Sequence, residues 1–147
     1  MNKKINAVGI ENIDYLSLVT NGELNMHSTD FDFIAVVNNG LPVERIHALK
    51  NKLGWTLQEI TEVINFSVKK NDRCKKLCVN LNIDKTESVL DFAMFLNDLS
   101  DGLKGKEKFI LNDWLFIDNP NTQDREPFKL LNTKMGRRYV LNLYKGR

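Results

Sequence analysis

Residues 86–103 read TESVLDFAMFLNDLSDGL, and the spacing within this stretch decides the class of the fold. Val89, Leu90, Phe92, Ala93, Phe95, Leu96 and Leu99 recur at the three- and four-residue intervals of a helix. They cover much of its circumference, so the helix must be wrapped by others, and a mainly α protein with this helix at its centre is predicted. Asp84 or Thr86 supplies the N-terminal cap and Gly102 marks a frayed end. The acids Asp84, Glu87, Asp91, Asp98 and Asp101 are read as a solvating face, because paired carboxylates on an exposed helix rarely do acid/base work.

Upstream, local signals define shorter helices. Ser28-Thr29-Asp30 is a capping cluster ahead of Phe31, Phe33, Ile34 and Val37, and Asn39-Gly40 stops that helix. Leu41-Pro42 opens a second one, since proline is tolerated in a first turn, with Val43, Ile46, Leu49 and Leu53 at helical spacing and Gly54 at its end. Thr56 and Glu59 spell a capping box for a third, which carries Leu57, Ile60, Val63 and Ile64 until Asn65-Phe66-Ser67 interrupts it. A basic helix is predicted from about Ser67 to Leu81. Before residue 30 the reading is open: Val8-Gly9-Ile10 and Tyr15–Val19 suit short strands or a docked arm, and Asn21-Gly22 suits a turn.

Downstream, Phe109, Ile110, Trp114, Leu115 and Ile117 define one more helix. Residues 119–126 form a polar loop and residues 127–131 a short packed segment. A last helix runs from Thr133 to Lys145, capped by Asn132 or Thr133. The expected division is an extension over 1–30, a helix-turn-helix-like domain over 31–84 and a smaller helical domain over 85–147.

Bulk composition limits the functions available. With 147 residues, 42% of them hydrophobic, the chain can bury a core. Its 21 Lys and Arg against 19 Asp and Glu give a net charge of +2, so nucleic-acid contact would have to come from a local patch. There is no signal-peptide pattern and no run long enough to span a bilayer, and the chain is read as cytoplasmic, without a membrane partner. Cys74 and Cys78 are read as buried helix cysteines, and His27 and His47 stand apart from any ligand set. Neither a phosphate loop nor a nucleophile elbow is present, so neither an enzyme nor a cofactor is expected.

Two segments invite a functional reading. The helix from Thr56, a three-residue turn and a basic helix have the layout of a helix-turn-helix, with Lys69, Lys70, Asn71 and Arg73 as candidate DNA contacts. An αα-hairpin with a solvated lysine face has the same layout, and charge and spacing alone favour it. Near the C-terminus, Trp114 reads first as a core anchor and second as an exposed hot spot. Gly136 sits where glycine costs about 1 kcal/mol relative to alanine, and close approach of another backbone is the simplest reason. Arg137, Arg138, Lys145 and Arg147 gather around it. The helix dipole accounts for cations at the end of the helix, but not for Arg137 and Arg138 near its start.

Taken in order, these landmarks resemble the antitoxins of the Xre, MbcA and ParS type, which neutralise RES-domain toxins in bacterial type II toxin–antitoxin operons. The resemblance runs from about Phe31 to Gly146. It is carried by Gly40-Leu41-Pro42, Leu53-Gly54-Trp55-Thr56 and Glu59-Ile60, and most strongly by Trp114-Leu115, Asn119, Pro127, Leu131-Asn132-Thr133, Gly136, Val140 and Leu143. It implies an antitoxin whose C-terminal domain binds an NAD-consuming toxin and blocks its cleft. Trp114, Asn119, Pro127, Thr133, Gly136, Arg137, Arg138, Lys145, Gly146 and Arg147 are the implied contacts. Autoregulation through operator DNA and assembly as a homo-oligomer or with the toxin follow from the same resemblance. The alternative is a stand-alone helix-turn-helix transcription regulator that dimerises through its C-terminal domain, and a small metal or nucleotide enzyme ranks third.

Overall fold

A computed structural model of the chain describes residues 13–65, 80–101 and 107–145. Among these the fold is mainly α, with seven α-helices and no strand: α1 (Tyr15–Val19), α2 (Asp30–Asn39), α3 (Glu44–Leu53), α4 (Leu57–Val63), α5 (Ile83–Asp101), α6 (Glu107–Asn112) and α7 (Lys134–Tyr144). The expectations for Val8-Gly9-Ile10, for the turn and basic helix after Asn65, and for Cys74, Cys78 and Gly102 fall outside the described residues. No described helix is long and apolar enough to cross a membrane.

The chain divides into two units. The first spans Asp14–Met94, and the second contains Phe95 onward. This division lies within α5, whereas a boundary was expected at 84/85, and residues 14–30 belong with the first unit. Tyr15–Val19, open between strand and arm in the sequence, is helical. Asp14 caps it, its carboxylate accepting from the Leu16 and Ser17 amides at 3.0 and 3.3 Å. Tyr15, Leu16 and Val19 are buried where α1 packs on α3, and the Arg45 guanidinium donates to the Leu18 carbonyl at 2.6 Å.

Capping is local, and it follows the sequence signals. Thr29 and Asp32 form a reciprocal capping box on α2, and Thr56 and Glu59 form one on α4. Val36 is the buried side chain of α2, which leaves Phe31 82% and Ile34 51% exposed.

Leu41-Pro42 does not open a helix. Pro42 pairs antiparallel with Asn80, and α3 begins at Glu44. The Leu41 carbonyl accepts from the Leu81 amide at 2.7 Å, while the Leu41 amide donates to the Thr86 hydroxyl at 3.1 Å. Both backbone groups of Leu41 are therefore used by the start of α5 and are not free to begin a helix of their own. This also changes the role of Thr86. It is fully buried and ties α5 to Leu41, and its hydroxyl donates to the Leu81 carbonyl at 3.3 Å. Asn82 caps α5 instead, its side chain accepting from the Lys85 amide at 2.8 Å, so the helix starts three residues earlier than Thr86.

Val89, Leu90, Phe92 and Ala93 of α5 are buried in the first unit, and Phe95, Leu96 and Leu99 are buried in the second. Within the first unit, Phe92 meets Trp55 with ring centroids 6.0 Å apart. Each large side chain buried in this way contributes about 1.5–3 kcal/mol. Ser88 donates to the Ile64 carbonyl at 3.0 Å, and the Lys85 ammonium donates to the Asn65 carbonyl, so α5 side chains satisfy the exposed end of α4.

In the second unit α6 stops at Asn112. A single 3-10 turn over Trp114–Phe116 follows, and Ile117 is extended and 58% exposed, so the predicted helix through Ile117 is in fact two short pieces. Pro127–Leu130 forms another 3-10 turn whose Phe128 is buried. The Phe116 ring stacks on Phe128 at 4.8 Å.

Candidate functional site

The residues between Trp114 and α7 make a small frame that fixes one helix. Its foundation is the loop over 119–125. The Asn119 side chain accepts from the Asn121 amide at 2.8 Å, and its carbonyl accepts from the Thr122 and Asp124 amides at 3.0 Å each. The Asn119 amide closes the loop onto the Arg125 carbonyl at 3.0 Å. Gln123 and Asp124 take left-handed backbone angles, with φ of 59° and 61°. At the centre is the buried Thr122, whose hydroxyl donates between the carbonyls of Asn119 (2.9 Å) and Arg125 (2.5 Å). Thr122→Val keeps the shape of the side chain but removes that donor. It is expected to lower the stability of this unit by about 1–2 kcal/mol, read as a lower denaturation midpoint; an unchanged midpoint would show that the hydroxyl does not hold the loop.

Pro127, buried, begins the next turn, where its fixed φ and missing N–H suit a first-turn position. Thr133 then caps α7, accepting from the Gly136 amide at 2.9 Å, which settles the choice between Asn132 and Thr133. Gly136 has the close backbone neighbour that its sequence position suggested, and that neighbour belongs to this chain. A Cβ built on Gly136 would fall inside the Leu130 carbonyl oxygen, 2.8 Å from the Leu130 carbonyl carbon and 3.0 Å from the Thr133 hydroxyl.

Arg137, which the resemblance implied as a toxin contact, is turned inward. It is only 6% exposed and donates to the Leu131 carbonyl at 2.7 Å, so its guanidinium fastens α7 to the segment before it. Arg138 is exposed, and Lys145 is half-buried at the end of the helix. Trp114 is half-buried, with its ring edge-on to Tyr144 at 5.5 Å, which joins the first turn of the frame to the last turn of α7.

Most of the anticipated contacts therefore shape this unit: Trp114, Asn119, Pro127, Thr133, Gly136 and Arg137 all make internal contacts or are buried within it. Gly146 and Arg147 lie outside the described residues, as do Lys69, Lys70, Asn71 and Arg73. Sequence reasoning missed Met135, 80% exposed, and Tyr139, 49% exposed, whose hydroxyl donates to the Asn121 carbonyl at 2.6 Å. Their four-residue spacing, which puts the two side chains next to each other on α7, was the available signal.

Among the described residues no group of three His, Cys, Asp or Glu side chains is placed to hold a metal. His27 is exposed and His47 half-buried. Asp84, Glu87, Asp98 and Asp101 are exposed along α5. Comparison with protein-family models, curated proteins and solved structures found no match to this chain.

Proposed function

We propose that this chain is a non-enzymatic antitoxin whose C-terminal unit binds a RES-domain, NAD-consuming toxin and obstructs its cleft. The observation that carries the reading is the contact of Gly136 with the Leu130 backbone. Together with the Thr133 cap and the Arg137 bond to Leu131, it holds α7 in one position while the helix keeps an exposed outer face. The residues behind the family resemblance (Trp114, Asn119, Pro127, Thr133 and Gly136) are the same ones that build this support. A rigid, presented helix suits binding, because a surface ordered before contact loses less entropy on association.

Inhibition in this reading is steric: α7 and the residues after it fill space that the dinucleotide would need. The proposed second role, operator binding through Lys69, Lys70, Asn71 and Arg73, would require a dimer to span two half-sites. The capped α4 fits the first, bracing helix of that layout, which keeps the stand-alone regulator as the competing reading.

Co-expression with a RES-domain toxin tests the two together. The antitoxin reading expects restored growth, preserved cellular NAD and a complex that co-purifies. Continued arrest with the chain abundant and no complex would discard it. Operator binding by the same preparation, with no toxin bound, would favour the regulator.

A further inference from the structure

Helix α2 is apolar on two faces. Val36 is buried and Phe33 and Val37 are half-buried, so these three mark the side turned toward its own unit. On the other side Phe31, Ile34, Ala35 and Asn38 follow one another at the i, i+3, i+4, i+7 spacing of a single stripe. All four are exposed, Phe31 by 82% and Ile34 by 51%. A helix that is apolar around most of its circumference is ordinarily buried. The acids Asp30 and Asp32 stand in the first turn, one to each side of the stripe, and the last turn carries no cation and ends on the exposed Asn38 and Asn39.

We propose that this stripe is covered by the same stripe of a second copy of the chain, the two α2 helices lying antiparallel about a two-fold axis. In a two-fold interface each residue faces one partner position, and the reverse contact is made as well. A register centred between Ile34 and Ala35 sets Ile34 against Ala35 and Phe31 against Asn38. Large therefore meets small at the centre, where the Ala35 methyl group lets the helix axes approach closely, and at each end the Phe31 ring lies across an amide.

Charge selects the direction. Parallel helices would press Asp30 and Asp32 against their own copies, whereas the antiparallel pair holds the two acidic ends roughly 10 Å apart along the axis and aligns the helix dipoles favourably. Charge also decides against other occupants. Nucleic acid and anionic surfaces are repelled by the two acids, and a basic partner would find acids at only one end of the stripe. Size sets the strength. With Phe31 leaving roughly 160 Å² free, the stripe offers roughly 350 Å² per copy, less than half of what a standard interface takes from each partner. Dissociation is therefore expected on the order of 100 μM. The surface is argued from α2 alone and stands whether or not the toxin reading does.

Sedimentation equilibrium of the full chain from about 10 μM to 1 mM tests this, since the average mass should climb toward twice that of the monomer across this range. Phe31→Glu combined with Ile34→Glu is expected to weaken association at least about 30-fold, leaving a monomer throughout. Both positions are exposed, so its melting curve at low concentration should match that of the unmodified chain. Ala35→Leu separates a defined register from general stickiness, and leucine is well tolerated in a helix. In the proposed packing the larger side chain collides with Ile34 of the second copy and weakens association about 10-fold; tighter association would mean unspecific apolar contact and overturn the proposal. Association that survives the double substitution assigns it to another surface and also overturns it. So does a monomer at every concentration, and if the double variant then melts lower than the parent, another part of the same chain covers the stripe.

Discussion

Gly136→Ala should destabilise the C-terminal unit by about 3 kcal/mol, although alanine is the better helix former by about 1 kcal/mol. The added methyl group would overlap the Leu130 carbonyl oxygen, and backbone cannot rotate aside as a flexible side chain can. The turn over Pro127–Leu130 or the start of α7 would have to move by well over an ångström. That movement strains two contacts at once, the Thr133 cap at 2.9 Å and the Arg137 bond to Leu131 at 2.7 Å. Amide hydrogen exchange is the direct readout: amides in the middle of α7 should lose protection by a factor of about 100, which corresponds to roughly 3 kcal/mol. Unchanged exchange would mean that Leu130 has room to withdraw. For the same reason, a bulky residue at Gly136 perturbs the fold and does not report on a binding surface.

The second large effect is expected at Gly40, in the other unit. Its backbone angles, φ 80° and ψ 142°, lie where side chains are strained, at a cost of about 1–3 kcal/mol. A Cβ there would also press into the Leu81 carbonyl oxygen and stand 3.2 Å from the Asn80 side chain. Gly40→Ala is therefore expected to lower the stability of the Asp14–Met94 unit by about 3–4 kcal/mol. Urea denaturation followed by the fluorescence of Trp55, with Trp114 replaced by Phe, should show the midpoint falling sharply. A midpoint within error of the parent would mean that the pairing of residues 39–42 with residues 80–86 does not require glycine.

The helical caps were legible because their chemistry is complete within three residues. Thr56 caps with Glu59 as the sequence indicated, Thr29 caps from within the expected cluster Ser28-Thr29-Asp30, and Thr133 is one of the two residues expected to cap the last helix. The helical periodicity of residues 86–101 likewise marked a helix whose apolar side chains are buried. What the sequence hid was decided by distant partners. Leu41-Pro42 carries the signal of a helix start, but the Leu41 backbone is committed to Leu81 and Thr86, and the Pro42 carbonyl, which accepts from the Arg45 amide, is where the turn into α3 begins. Five residues at Tyr15–Val19 are too few for periodicity to separate helix from strand, and packing against α3 settled the matter.

At the candidate site, charge misled the reading of Arg137. A guanidinium so deeply buried is uncommon, and only the position of the Leu131 carbonyl explains it. Met135 and Tyr139 were overlooked for the opposite reason, since apolar residues on a short helix are ordinarily assigned to the core.

The bonds that fasten α5 to the first unit also bear on the order of folding. The Leu41 amide reaches a hydroxyl 45 positions away and Asn80 reaches a carbonyl 41 positions away, so neither contact can form before a long loop has closed. The capping boxes, spanning three positions, face no such delay and should assemble first. Docking of the long helix is then expected to be the late, rate-setting event in assembly of this unit, and its release the earliest step when the unit comes apart.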